Sequence, residues 1–274
     1  MAWNKIVTAD SVIQRLYEDK GFYQLTNRSY DSLVVPGASS VRRPKLATLV
    51  AKKNDGTSAT DTDRKKTKAG TTMVETDLDV YTVPIMNEMA AKFESNDELR
   101  KQYEISMSMA LKRKFNVDVL TAAQATSNVE EIAGAQLAWA DLIRILRHYE
   151  ENEVPEEFRN IVVGSGFMEQ FYNIDVIKTA VGFNKELLSA GMSNQMLGAN
   201  WFVSGIAPTI GGKATVTSWY GPGLAFILSK DGEIKETYDP GTTGVTTPGD
   251  VIDMLAHAGC ELDDDDFAFV LKNK

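Results

Sequence analysis

Residues 52–70 are almost wholly polar, and strand-like sequence flanks them on both sides. Lys45–Ala51 reads as the strand that leads in. Val74, Thr76, Leu78, Val80 and Thr82 then recur every second residue, with Glu75, Asp77 and Asp79 on the opposite face. That spacing is the period of a half-buried strand. The pair predicts a long two-stranded excursion with a soluble tip. A lone hairpin is at best marginally stable in water. Something must therefore support it, either the body of the chain or another subunit.

Charge separates this excursion from the rest. Nine basic residues (Arg42, Arg43, Lys45, Lys52, Lys53, Arg64, Lys65, Lys66, Lys68) lie between Arg42 and Lys68, against three acids (Asp55, Asp61, Asp63). The segment is thus +6. The whole chain is -9, which leaves -15 on the remainder. A basic projection on an acidic body suits docking onto another copy of the chain. A solvated loop is the plain alternative for any charge run. Nucleic acid fits less well, because aromatics do not interleave the basic residues.

Composition bounds the class. The 274 residues are 43% hydrophobic and 24% charged, which excludes wholesale disorder, a collagen-like repeat and a disulfide-dense framework. Mean hydropathy is -0.22, and no window approaches the roughly 20 apolar residues that cross a bilayer. No membrane partner is expected. The start meets Asp10, Glu18 and Asp19 too soon for a signal peptide's apolar core. The single cysteine, Cys260, has no internal partner, which fits a reducing compartment.

The remaining pattern is mixed. Residues 10–20 predict a short amphipathic helix, and Phe22–Val41 an extended arm. Pro84 opens a predicted helix over Ile85–Glu94. Ser95 with Glu98 forms a capping box, which starts the longest predicted helix, to about Ala123. Leu99, Tyr103, Met107, Leu111, Phe115 and Val119 recur along it every four residues. Leu137–Glu150 predicts a second amphipathic helix, and Arg159–Val163 a buried strand followed by a helix from Phe167. Gly182–Gly198 reads as loop. Strands are expected at Trp201–Ile206, Ala214–Trp219, Leu224–Ser229, Glu233–Thr237 and Phe267–Leu271. Val251–Ala258 reads as a short apolar stretch.

Motifs for chemistry are sparse. Gly164-Ser165-Gly166 follows a strand and precedes a helix, as a phosphate-binding turn does, but lacks the third glycine of the dinucleotide fingerprint. A nucleotide-binding enzyme on this turn is one alternative function; a tight packing turn is the plainer reading. His148 reads as a surface residue. His257 lies three positions from Cys260 without enough neighbours for a tetrahedral metal site. Asp263, Asp264, Asp265 and Asp266 lack the alternation and central glycine of a calcium loop. A solvated turn is the plain reading of this run, with acidic docking of a neighbour's basic 42–68 segment as its alternative. No catalytic residue, cofactor or metal is expected.

This order of segments resembles the major capsid protein of tailed bacteriophages, the Johnson-fold shell subunit shared with encapsulins. Lys45–Val83 matches the position of that family's extended loop, and Ser95–Ala123 that of its spine helix. Arg159–Val163 with Gly164 resembles a central strand of its axial domain. Gly198–Ser204 resembles a later core strand, and Ala256–Leu262 through Phe267–Leu271 the closing segment. The resemblance implies an α+β fold with an N-terminal arm (1–40), an extended β-loop (41–83), a peripheral domain with the spine helix (84–130), an axial domain (131–250) and a C-terminal strand region (251–274). It implies self-assembly into pentamers and hexamers of an icosahedral head, with packaged DNA inside, a portal, and a separate scaffolding protein. The location implied is the virion capsid, assembled in the host cytoplasm. The arm would tie adjacent capsomers together. An encapsulin-type compartment and a tail-tube protein are the related alternatives.

Overall fold

The computed structural model describes residues 12, 13, 16, 21–35, 38–44, 73–86, 97–177, 194–229, 233–239 and 249–274. In chain order the strands are β1 (Ser40–Pro44), β2 (Met73–Asp77), β3 (Asp79–Met86), β4 (Val129–Glu131), β5 (Arg159–Gly164), β6 (Asn194–Met196), β7 (Ala199–Ser204), β8 (Thr215–Tyr220), β9 (Leu224–Leu228), β10 (Glu233–Asp239), β11 (Gly249–Leu262) and β12 (Ala268–Lys272). The helices are α1 (Asp97–Ala123), α2 (Trp139–Glu151) and α3 (Met168–Asn173).

A six-stranded mixed sheet, ordered β4-β12-β8-β5-β7-β6, forms the middle layer. All six residues of β5 are buried: its apolar stretch Ile161–Val163 is covered on both faces, and Arg159 pairs with Glu150 at 2.6 Å. Alternation sends Val162, Phe202, Trp219 and Ala268 into one core with α1. Ile161, Val163, Val216, Phe269 and Leu271 enter a second core with Leu142, Ile145, Leu146 and Tyr149 of α2 and Phe171 of α3. Asp141 fixes the start of α2: its carboxylate accepts from the backbone N–H of Ala138 at 3.0 Å and of Ala133 at 3.1 Å.

The longest helix expected from the sequence is present as α1. Its 27 residues run about 40 Å at 1.5 Å per residue. Met107, Leu111, Phe115 and Val119 are all buried. Phe115 meets the rings of Tyr23, Tyr81 and Phe226 at 5.9, 5.0 and 5.4 Å. The cap expected at Ser95, and the side chains of Leu99 and Tyr103, lie outside the described residues.

β11 is the axis of a second, four-stranded sheet. β3 pairs with one edge over Val251–Ala258. β10 and then β9 follow each other along the other edge.

Several expectations give way. Ile85 and Met86 continue strand β3 past Pro84 instead of opening a helix. Proline is tolerated both on an edge strand and at a helix start, so it did not discriminate. Residues 87–94 of that predicted helix lie outside the described residues. Val251–Ala258 is the middle of a 14-residue strand, β11. Phe22–Val41 is not uniformly extended: it holds 3-10 turns at Phe22–Leu25 and Asp31–Leu33, and β1 begins within it. Nor do the described residues of the arm stand apart. Val12, Ile13, Leu16, Phe22 and Tyr23 belong to the α1 core, and the Tyr23 hydroxyl donates to the Leu16 carbonyl at 2.8 Å. The strand read at Lys45–Ala51 lies outside the described residues, as does most of the loop read over Gly182–Gly198, whose described end holds β6.

Candidate functional site: the root of the basic hairpin

β1 and β2 pair antiparallel from Ser40 opposite Asp77 to Pro44 opposite Met73. They form a two-stranded sheet of their own, while β3, starting at Asp79, belongs to the sheet of β11. Residues 45–72 connect them, so Lys45, Lys52, Lys53, Arg64, Lys65, Lys66 and Lys68 lie outside the described residues. What the structure places is the root.

Strand alternation splits the two arginines. Arg42 is exposed, 3.7 Å from Glu75. Arg43 is wholly buried. Its Nε donates to Thr76 Oγ1 at 2.9 Å, Nη1 to the Asp263 carboxylate, and Nη2 to Glu261 Oε2 at 3.4 Å. Thr76 Oγ1 in turn donates to Glu261 Oε2 at 2.6 Å. The guanidinium lies 5.8 Å from the centre of the Tyr30 ring. Arg43, expected as an inter-subunit contact, is thus enclosed within its own chain: a buried guanidinium needs a carboxylate, and β11 ends beside one.

Two further ties hold the root. Val41, Leu78 and Ile227 form a small buried cluster. At Gly259 of β11, a Cβ would sit 2.2 Å from the carbonyl oxygen of Asp77, so only glycine lets the end of β2 lie against β11. The body therefore supports the root directly.

The acidic run divides in the same way. Asp263 is buried and takes Arg43. The Asp264 carboxylate accepts from the Asp266 N–H at 3.4 Å. The Asp265 carboxylate accepts from Ser127 Oγ at 2.6 Å, and its carbonyl from Asn128 Nδ2 at 2.8 Å. Asp266 is exposed at its side chain. The run is a folded turn whose contacts are mostly internal. Asp263 in particular is buried and paired with Arg43 of its own chain, where the sequence read as a solvated turn, with docking of a neighbour's basic segment as the alternative.

Gly164-Ser165-Gly166 opens a 3-10 turn. A Cβ at Gly164 would meet the Thr215 carbonyl oxygen at 2.7 Å, and one at Gly166 the Ala214 Cβ at 2.6 Å. Both glycines serve close packing against β8 and the residue before it. His148 is half-buried rather than on the surface. Its ring centre is 4.9 Å from that of Phe269, and Nε2 lies 3.1 Å from the Asp266 carbonyl. Burial pushes its pKa below the usual histidine range, opposed by that carbonyl. Cys260 belongs with the α1 core, and burial pushes its thiol up, with Asp118 adding to the effect. His257 is an odd-numbered neighbour on the same strand and faces the opposite side, so the two do not converge. Among the described residues no group of three His, Cys, Asp or Glu is placed to hold a metal.

Sequence reasoning missed Tyr30, Thr76, Gly259 and Glu261 as parts of the root. The alternation over 74–78 was the available signal that Thr76 faces inward; the single strand face expected through Thr82 breaks after Leu78, where β3 begins, Val80 and Thr82 are exposed and Tyr81 and Val83 pack against the α1 core.

Solved structures share this fold along nearly its full length. The satellite phage P4 procapsid structure that includes the size determination protein matches at a TM-score of 0.59 and 7% identity, covering 100% of this chain and 93% of that one. A chain of Mycobacterium phage Che8 matches at 0.58 and 14% identity, over 92% and 91%. The acid-stable capsid of Helicobacter pylori bacteriophage KHP30 matches at 0.57 and 8% identity, over 87% and 85%. No family model matches the sequence, and no curated protein matches it. What is shared at such identities is the fold, and that fold is the Johnson fold of phage capsid subunits.

Proposed function

We propose, from the capsid fold this chain carries, that it is the major capsid protein of a tailed bacteriophage. Copies associate into pentamers and hexamers, and these close into an icosahedral head around double-stranded DNA. The observation that carries the reading is the match to a procapsid structure over the whole chain. The hairpin root supports it: β1 and β2 pair as a separate two-stranded ribbon, and the sequence they flank is basic in a chain whose remainder is acidic. Three large apolar side chains on or beside its root, Val35, Met73 and Val80, stay exposed at 65, 56 and 55%, as surfaces awaiting a partner do. The glycines of the only phosphate-type turn read from the sequence are committed to packing, which argues against nucleotide chemistry there.

In this reading the 45–72 segment lies on the neighbouring subunit, and each contact need only be weak, because a closed shell repeats it many times. The head forms in the host cytoplasm with a separate scaffolding protein and a portal. Electron microscopy of the expressed chain tests the proposal. Closed, uniform shells are expected, with nuclease-protected DNA when they are recovered from infected cells. Open tubes, shells loaded with a protein cargo, or a monomer at every concentration and salt would overturn it.

A further inference from the structure

We propose that Arg43 is a positioning residue that sets the angle at which the hairpin leaves the body before any neighbour is met. The proposal rests on the shell reading above and adds to it the device that aims the inter-subunit segment.

The other contacts at the root do not aim the hairpin. A two-stranded ribbon is marginally stable alone and twists easily. The Val41, Leu78 and Ile227 cluster buries apolar surface, but hydrophobic contact is non-directional. The open position at Gly259 permits close approach without specifying an angle. Arg43 is different. Its planar fork has fixed donor directions, and those donors reach β2 at Thr76, the end of β11 at Glu261 and the following turn at Asp263. One side chain of β1 therefore ties both hairpin strands to one place on the body. Thr76 closes the loop by donating to the same Glu261 oxygen.

Stability alone does not call for this arrangement. A buried ion pair replaced by well-packed apolar residues is often neutral or even stabilising. What the ion pair adds here is direction. A hairpin held at its working angle loses less freedom on meeting the next subunit, which is the general benefit of preorganisation.

The test separates aim from stability. The double variant Arg43→Met, Asp263→Leu removes the charges together and keeps apolar volume. Spin labels at Met73→Cys on β2 and Met109→Cys on α1, both exposed positions, report the hairpin angle; Cys260, partly buried against the α1 core, is replaced by Ser so that only the two introduced thiols are labelled. The expected result is a parent-like melting temperature, a broadened label-to-label distance distribution, and a yield of closed shells lower by about tenfold or more, since the lost aim is repeated at every subunit. A narrow, parent-like distribution, or parent-like shell yield, overturns the proposal. Should the double variant fail to fold, Arg43→Lys serves instead. It keeps a charge beside Asp263 but cannot reach three oxygens as a fork, so the same broadening is expected and its absence is decisive. If the parent chain itself forms no shells, the shell reading fails, while the distance distribution still decides whether Arg43 aims the hairpin.

Discussion

Arg43 and Asp263 stand 220 residues apart in the chain, and both side chains are shut away from water. Replacing Arg43 alone by Met strands the Asp263 carboxylate without its cation. Such single truncations of buried pairs cost about 3–5 kcal/mol, and denaturant unfolding of Arg43→Met should show a loss of that size. Gly259→Ala is expected to be worse than its size suggests. The added methyl would meet backbone rather than a mobile side chain, at 2.2 Å from the Asp77 oxygen, so hairpin and β11 must part. Raised protease sensitivity confined to the hairpin, with the body's melting little changed, is the expected signature. His148 gives a pH effect. Its folded pKa is lowered, first by burial, so the unfolded chain binds its proton more readily. Its share of stability is complete above the ordinary histidine pKa of about 6.5 and drains away as pH falls from there through the lower folded value. His148→Gln should flatten that part of the melting-temperature profile; an unchanged profile would assign it to other groups. Nothing local in the sequence announced the burial of Arg43: a charged run is solvated by default, and its acid comes from the far end of the chain.

At the scale of elements, legibility followed periodicity. The α1 stripe at Met107, Leu111, Phe115 and Val119 was readable because helical spacing and burial coincide. β5 was readable because an apolar run flanked by glycine suits a strand buried on both faces. β11 was underestimated because its apolar stretch was read to end at Ala258, just before the polar and glycine positions Gly259 and Glu261. In fact Met254, Ala256, Ala258, Cys260 and Leu262 alternate into the core, while Gly259 and Glu261 on the other side meet the hairpin root. The N-terminal segment was misjudged for a different reason: an amphipathic stretch does not state whose core it enters. Leu16, fully buried against α1, turns that into a prediction. Leu16→Ala should cost the isolated subunit about 2–5 kcal/mol. An arm that docked solely onto neighbours would leave subunit unfolding untouched and weaken assembled particles alone.

At the scale of the molecule, the described residues tie down the root of a segment whose net charge is opposite in sign to that of the rest of the chain. Between the segment at +6 and a remainder at -15, attraction acts between copies as well as within one. Exposed ion pairs of this kind are individually worth about 0–1 kcal/mol and are screened over roughly 8–10 Å at ordinary salt. In the proposed shell their effect would therefore come from repetition and would depend on ionic strength. Deleting Lys52–Lys68 should leave a folded body, because the ties at Arg43, Val41 and Gly259 lie outside the deletion, yet shells should fail to close. Replacing Arg64, Lys65 and Lys66 by Glu should weaken particles most at low salt, where the reversed charges act over the longest range, with partial recovery as salt rises. Sedimentation of assembled against unassembled protein across a salt series reads this directly. A defect independent of salt would place the fault in the fold of the segment, and normal closure of the deletion variant would remove the segment from the contact between subunits.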